Sequence, residues 1–166
     1  MGKRVFTYLK GMIVMGGRFY EHELFDLGKW GVVEWNIKCD PFAAKIVFNS
    51  DVKDFYIAGI EQTCKFRKDA PEVAEKIQHL SWMKPVSDAI RDKDDTWFHD
   101  AVAIWAMLYP KNVAWKKGDI SVDLDDIHMG KTSFSENKNG KHMVLADIDV
   151  GNFFDSYAAQ MGFEWN

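Results

Sequence analysis

The sequence predicts an α/β protein: a partial parallel sheet layered against helices, with a late antiparallel strand pair. Two short apolar runs, Met12–Met15 and Phe55–Ile60, have the length and continuous hydrophobicity of strands buried in a parallel sheet. Helical segments follow both runs, and strands that alternate with helices are typical of a layered α/β architecture. Alternation in Ile120–Leu124, a turn at Asn137–Gly140 and a returning strand at Met143–Ile148 predict the antiparallel pair.

The composition predicts one globular domain over residues 1–166. With 47% hydrophobic and 28% charged residues, the chain has enough apolar side chains for a core and is not typical of disorder. A net charge of −4 argues against a nucleic-acid partner, and no apolar stretch is long enough to predict a membrane span. Two cysteines without metal-ligand spacing and the lack of a secretory signal pattern predict a reducing, cytoplasmic location.

The first strand and the first helix have clear boundaries in the sequence. Gly16-Gly17 ends the Met12–Met15 strand in a tight turn, and the aperiodic, aromatic stretch Arg18–Val33 is predicted to be a long loop. Asp40-Pro41 then supplies the N-cap and first-turn residues of a helix that continues to Phe48.

The middle of the chain is predicted to be mainly helical. Glu61–Ala70 is expected to be a charged connection after the second strand. Apolar residues at helical spacing predict a helix over Glu72–Asp92, which Pro85 should kink or split. Asp94 or Asp95 is expected to cap the next helix.

That next helix carries the most informative motif, the adjacent pair His99-Asp100 within the otherwise apolar segment Trp97–Ile104. An imidazole titrates near neutrality and can transfer protons, and a carboxylate is a suitable ligand for a hard cation. Neighbouring side chains on a helix diverge by about 100°, so the pair could contact different parts of one ligand. The alternative interpretation is a core histidine beside a surface aspartate.

A second polar group surrounds Trp35. Glu34 and Asn36 would face the same side of an extended segment and could bind one ligand together. The alternative is a solvent-facing glutamate and a turn-forming asparagine that precede the Asp40 cap. Met15, at the end of the first strand, either belongs to the core or lines the same site.

These motifs, in this order and at this spacing, resemble the inosine–uridine-preferring nucleoside hydrolases over most of the chain. The resemblance implies an enzyme that splits the N-glycosidic bond of a ribonucleoside into ribose and a free base. It implies that Asp100 ligates a calcium ion and that His99 donates a proton to the leaving base. It also implies that Glu34 and Asn36 bind the 5′-hydroxyl end of the ribose and that Met15 lines the substrate site.

The resemblance concerns the C-terminal half of that family. The stretch Asp147–Asp155 is similar to the family's D-x-D…F-F-D ending. The family's N-terminal D-x-D-x-x-x-D-D motif, which supplies most calcium ligands and the water-activating base, does not occur in residues 1–166. The chain is therefore expected to be truncated, to have an incomplete calcium site and to be inactive when isolated.

The expected partners follow from the same resemblance. They are a nucleoside substrate or ribose, together with either a second copy of the chain in a homo-oligomer or a complementary N-terminal half. Missing strands would leave a sheet edge open, and open edges favour pairing with another chain. The alternative function is a non-catalytic module, derived from the same fold, that self-associates or binds a partner.

Three further features of the sequence do not predict a catalytic or ligand-binding site. Gly130-Lys131-Thr132 is similar to the end of a phosphate-binding loop, but Asp125 stands where that loop needs its first glycine. The nearby aspartates lack the spacing and the glycine of a calcium-binding loop. The remaining histidines considered have no partner at a useful spacing and are predicted to be surface or packing residues: His79, His128 and His142.

Overall fold

The computed structural model describes residues 5–20 and 33–165. The strands, in chain order, are β1 Gly11–Met15, β2 Asp54–Ala58, β3 Arg67–Asp69, β4 Asp95–Trp97, β5 Val113–Val122, β6 Thr132–Glu136 and β7 His142–Ile148. The α-helices are α1 Trp35–Cys39, α2 Pro41–Phe48, α3 Ile60–Thr63, α4 Ala70–Ile77, α5 Lys84–Ile90, α6 His99–Leu108 and α7 Val150–Met161.

The main sheet has five strands in the order β1-β2-β7-β5-β6. Strand β2 pairs in parallel with both β1 and β7, whereas β5 pairs in antiparallel fashion with β7 and β6. The predicted α/β class with a late antiparallel part is therefore confirmed. The antiparallel part is larger than predicted, because β5 begins at Val113 and β6 adds a further strand.

Helices cover both faces of this sheet. Along β7, Val144 and Leu145 point to opposite faces, as adjacent strand residues do, and each belongs to a different buried cluster. Leu145 packs in a cluster with residues of α4, α6 and α7, including Ile77, Val102 and Phe153. Val144 packs on the other face with residues of α1 and α2. Both faces of β7 are therefore buried.

One prediction for the middle of the chain is wrong, and another is confirmed. The predicted connection Glu61–Ala70 contains α3 and β3, and Glu61 is completely buried. The helical segment predicted over Glu72–Asp92 is split at Pro85 as expected: it forms α4 and α5, and the break lies before Pro85, which is in the first turn of α5. Proline is favourable there because the first-turn amide has no partner within the helix.

The predicted cap of the next helix is also wrong. Asp95 begins β4, which pairs with β3 in a separate two-stranded sheet, so neither Asp94 nor Asp95 can cap α6. Phe98 occupies the N-cap position, and its side chain makes no capping hydrogen bond. The backbone is fixed instead by the Phe98 amide, which donates to the Phe66 carbonyl oxygen at 3.0 Å.

Other predictions are confirmed or fall outside the described residues. Helix α2 begins at Pro41, and the Asp40 carboxylate accepts a hydrogen bond from the Ala43 amide at 2.9 Å. Most of the predicted loop Arg18–Val33 lies outside the described residues. Within residues 5–20 and 33–165, no helix has the length and apolar character needed to cross a membrane.

Candidate functional site

A cleft of about 310 Å³ opens at the carboxyl ends of the parallel strands β1 and β2. Crevices at this end of an open α/β sheet are the usual place for ligands. All five residues that the sequence nominates contribute to its lining, although they come from distant parts of the chain. The lining residues are Met15, Glu34, Trp35, Asn36, Ile60, His99 and Asp100.

Glu34 is held rigidly in the wall of this cleft. Its Oε1 accepts a hydrogen bond from the Asn36 amide at 2.9 Å, and its Oε2 accepts from the Ile37 and Gly17 amides, each at 3.1 Å. The side chain is 8% exposed and serves as the N-cap of α1. The prediction of an extended segment here is wrong, because these capping bonds start a helix at Trp35.

Asn36 is an exposed residue that is joined to Met15. Its Nδ2 donates to the Met15 carbonyl oxygen at 3.3 Å and contacts the Met15 sulfur at 3.2 Å. No described residue donates to its Oδ1, so that oxygen can accept a hydrogen bond from a ligand. The first turn of α1 thus adds a polar group to the Glu34 side of the cleft.

His99 lies at the start of α6 and also lines the cleft. Its Nδ1 is 2.9 Å from the hydroxyl oxygen of Thr63, and its ring lies parallel to the Trp97 indole, at 3° with centroids 5.5 Å apart. Burial lowers the pKa of His99, and the nearby charge of Asp100 partly offsets that effect. The Thr63 hydroxyl therefore restrains one edge of the His99 ring, and the Trp97 indole restrains one of its faces.

Asp100 is exposed and lies in the first turn of α6, where the helix dipole favours a negative charge. A calcium ion takes six to eight oxygen ligands. Among the described residues, no group of three His, Cys, Asp or Glu side chains could hold a metal ion. The described donors therefore do not fit a self-contained metal site, although Asp100 could contribute to one.

Sequence reasoning missed two buried polar residues that do not line the cleft but adjoin residues that do. Thr63 contacts His99, and Glu61 accepts a hydrogen bond from the Phe19 amide at 3.3 Å. Both lie in α3, a helix of four residues, which is too short for hydrophobic periodicity to reveal. The sequence therefore contained no local signal for their burial.

The fold agrees with the comparisons to known proteins. The model of the inosine–uridine preferring nucleoside hydrolase family matches residues 1–155, and the chain belongs to that family. It is 30% identical over 136 residues to a probable uridine nucleosidase 2 of Oryza sativa subsp. japonica. It is 29% identical over 136 residues to uridine nucleosidase 1 of Arabidopsis thaliana. Each match covers 75% of this chain and 39% of the relative.

Solved structures show the same fold. A purine-preferring ribonucleoside hydrolase from Gardnerella vaginalis superposes with a TM-score of 0.72 at 19% identity, covering 96% of this chain and 54% of that protein. An inosine–uridine preferring nucleoside hydrolase from Bacillus anthracis superposes with a TM-score of 0.70 at 19% identity, covering 96% and 53%. The chain thus spans about half the length of these structures and 39% of the plant relatives. Members of this family use a metal ion.

Proposed function

We propose that this chain forms the ribose-contacting and base-protonating side of a site that hydrolyses the N-glycosidic bond of ribonucleosides. One observation carries the proposal: Glu34, Asn36 and Met15 share a single cleft with His99 and Asp100. The cleft volume is near the lower end of the range for small-molecule sites, roughly 300–1,000 Å³. A ligand of nucleoside size suits it.

The Glu34 side of the cleft is suited to bind sugar hydroxyls. Glu34 Oε1 accepts one described hydrogen bond, and a carboxylate oxygen can accept two. Asn36 Oδ1 adds a neutral acceptor beside it. Because backbone amides already fix the Glu34 carboxylate, a ribose hydroxyl would meet an acceptor whose position is set before binding. Preorganisation of this kind lowers the entropic cost of binding.

His99 is suited to protonate the leaving base. As the bond between the anomeric carbon and the base nitrogen breaks, its electron pair stays with the base, and a proton from His99 neutralises that base. Water supplies hydroxide to the anomeric carbon and returns a proton to solution. General acid catalysis is typically worth about 10²–10⁴-fold. That factor alone would not make glycosidic hydrolysis efficient.

The proposal includes a calcium ion for which Asp100 is one ligand. Because the described carboxylates do not complete such a site, we propose that the isolated chain binds ribose or nucleosides without hydrolysing them at an ordinary enzymatic rate. Hydrolysis would require further carboxylates. A complementary N-terminal half of a related hydrolase is the partner that we propose to supply them.

The experiment is a titration of uridine, inosine and ribose into the ¹⁵N-labelled chain, followed by NMR. We expect shifts at the Asn36 side-chain amide and the His99 ring, with ribose alone perturbing mainly Asn36. Asn36→Leu should weaken ribose binding about tenfold, as expected when one hydrogen bond is lost. Asn49→Leu is the matched control, because Asn49 is equally polar and exposed but lies at the end of α2.

Activity provides the second part of this experiment. The chain should release ribose from uridine only when an N-terminal half and calcium are added, and Asp100→Asn should abolish that gain while the exposed Asp92→Asn should not. Rapid turnover by the chain alone would contradict the proposed division of the site. Failure of all three ligands to perturb Asn36 and His99 would contradict the proposed ligand class.

A second candidate function is a non-catalytic module that self-associates. Within the described part of the chain, β1 pairs only with β2, so its outer edge has no described partner strand. Large apolar side chains are also exposed on α6, including Ile104 and Leu108 at 52% and 61%. Sedimentation analysis would distinguish the two functions: a stable oligomer that binds none of the three ligands would favour the module.

A further inference from the structure

Thr63 joins the two elements that meet at the His99 side of the cleft. It is the last residue of α3, it is completely buried, and its hydroxyl oxygen lies 2.9 Å from His99 Nδ1. The backbone bond between the Phe98 amide and the Phe66 carbonyl oxygen, at 3.0 Å, fixes the start of α6 against the segment that follows α3. The distance between Thr63 and His99 is therefore set by the fold.

The direction of the hydrogen bond follows from the surroundings of the hydroxyl. Within the described residues, His99 Nδ1 is the one hydrogen-bond partner that the structure gives the Thr63 hydroxyl. If Nδ1 carried the proton and donated it, the hydroxyl proton would be buried without an acceptor, which is unfavourable. In the neutral ring the hydroxyl therefore donates to Nδ1, and the ring proton must be on Nε2.

We propose that Thr63 is a positioning residue that holds neutral His99 in the Nε2–H tautomer and aims that nitrogen at the leaving base. The proposal rests on the proposed function only for the identity of the ligand. Thr63 does not line the cleft and acts through His99.

Trp97 contributes the second restraint on the ring. The indole and imidazole planes are parallel, so the ring can tilt little without losing this contact. Trp97 is itself held in β4, where it pairs with Arg67 of β3, and the Arg67 guanidinium lies 5.6 Å from the indole centroid. The Thr63 hydroxyl thus fixes which edge of the His99 ring faces the protein, and the Trp97 indole fixes the plane of that ring.

A hydroxyl is well suited to a ring that must exchange a proton. Unlike a carbonyl oxygen, which can only accept, a hydroxyl can both donate and accept. When His99 is protonated, Nδ1 becomes a donor, and Thr63 can rotate its hydroxyl to accept that bond. The ring orientation can then be kept in the neutral and the protonated form. Transfer of the Nε2 proton to the base leaves the remaining proton on Nδ1, and proton exchange with solvent then restores the Nε2–H tautomer that the Thr63 hydroxyl favours.

The experiment measures the tautomer directly, by long-range ¹H–¹⁵N NMR spectra of the chain at a pH above the ordinary imidazole range. His142 is an internal reference, since its Nδ1 accepts from the Ile120 amide at 3.1 Å and its Nε2 contacts the Phe48 carbonyl oxygen at 2.9 Å. These contacts require the Nε2–H tautomer. The exposed His79 is the reference for an unrestrained ring.

We expect His99 to match His142, with an Nδ1 resonance shifted by the hydroxyl donor. Thr63→Val keeps the shape of the side chain and removes the hydroxyl, so His99 should become more like His79. Thr63→Ser should restore the original spectrum, and the His142 signals should stay constant in both variants. A wild-type His99 in the Nδ1–H tautomer, or no change in Thr63→Val, would overturn the proposal.

Failure of this inference can be distinguished from failure of the proposed function. The tautomer is measured without ligand, whereas ribose binding is measured at Asn36. If His99 has the expected tautomer and no nucleoside binds, the positioning role of Thr63 is supported and the proposed ligand is wrong. If uridine binds and the His99 tautomer does not depend on Thr63, the proposed ligand is supported and the positioning role is wrong.

Discussion

Two buried glutamates, Glu34 and Glu61, each accept a hydrogen bond from the backbone that follows β1, but they differ in how many described donors surround their carboxylates. Glu34 accepts three backbone hydrogen bonds, one of them from Gly17. Glu61 is more deeply buried; it accepts a bond from the Phe19 amide, and its Oε2 has no hydrogen-bond partner among the described residues. Burial raises the pKa of Glu61 to about 7.

The difference shows that burial and the supply of hydrogen-bond donors together determine what a buried carboxylate does. Backbone amides at the start of α1 are unpaired within the helix and converge on Glu34. Around Glu61 in α3, burial outweighs the nearby backbone amides and favours the protonated form. Glu34 is thus a fixed hydrogen-bond acceptor in the cleft wall, whereas Glu61 is a buried carboxyl group that can bind a proton.

The largest expected effect is that of Glu34→Ala. This change leaves two buried amides, those of Gly17 and Ile37, without an acceptor and removes the cap of α1. At about 1–3 kcal/mol for each unsatisfied donor, the free energy of unfolding should fall by roughly 4 kcal/mol. Urea denaturation would measure it. The matched control is Glu75→Ala, because Glu75 is exposed on α4; an equal loss in both variants would contradict the capping role.

A somewhat smaller effect is expected from the ionisation of Glu61. Its pKa in the folded state, about 7, lies above the ordinary value of 4.5, so the folded state prefers the protonated form. The stabilisation is complete below pH 4.5 and is lost as the pH rises through 7. The free energy of unfolding should decrease over this window by up to roughly 3 kcal/mol. The groups facing Glu61 include Arg18, which lowers its pKa, and Tyr20 and Cys64, whose own pKa values its charge raises.

Glu61→Gln is the variant that isolates this effect. The amide cannot ionise, so the difference in unfolding free energy between variant and wild type should grow in favour of Gln as the pH rises from 4.5 to 8. The exposed Glu75→Gln should show no such trend. A pH-independent difference between Glu61→Gln and wild type would contradict the raised pKa of Glu61.

The contrast between these two residues also explains what the sequence could predict. Asp40-Pro41 and the apolar run Met12–Met15 contain their own boundary signals, so α2 and β1 were predicted. The resemblance likewise nominated the cleft residues, including Glu34. Glu61 lies in a segment whose charged composition suggested a surface connection, and its burial depends on packing against residues distant in sequence.

The short strands β3 and β4 were missed for the same reason. Each has three residues, and their pairing of Arg67 with Trp97 is a tertiary contact without a local pattern. Because β4 was missed, Asp94 or Asp95 was wrongly assigned as the cap of α6. Thr63, which contacts His99 across this junction, could not be found without the fold.

Gly59→Ala should displace the Glu61 carboxylate, whose atoms are the nearest to an added Cβ. A Cβ at this position would lie 2.6 Å from Glu61 Oε1 and 2.7 Å from Oε2, closer than side chains tolerate. The carboxylate must move, and overpacking of this kind typically costs about 1–3 kcal/mol. Thermal unfolding would measure the loss. The control is Gly151→Ala on the exposed surface of α7, and a Gly59→Ala variant as stable as that control would mean that Glu61 can move freely.

The smallest expected effect is that of Tyr20→Phe, which tests whether Glu61 lacks a side-chain partner. The Tyr20 hydroxyl is buried without a hydrogen-bond partner in the described part of the chain, and burial together with the nearby charges of Glu136 and Glu61 raises the pKa of this phenol to about 12. Removing an unsatisfied buried hydroxyl should leave the free energy of unfolding unchanged or raise it by less than about 1 kcal/mol. Tyr56→Phe, in β2, is the matched control for loss of a phenol oxygen.

If Tyr20→Phe instead destabilised the chain by more than about 1 kcal/mol, the hydroxyl would have to donate to a partner, and the Glu61 Oε2 would be the obvious acceptor. The contrast with Glu34, both of whose oxygens accept hydrogen bonds, would then be smaller than the structure indicates, and the pH dependence assigned to Glu61 should shrink in the same variant.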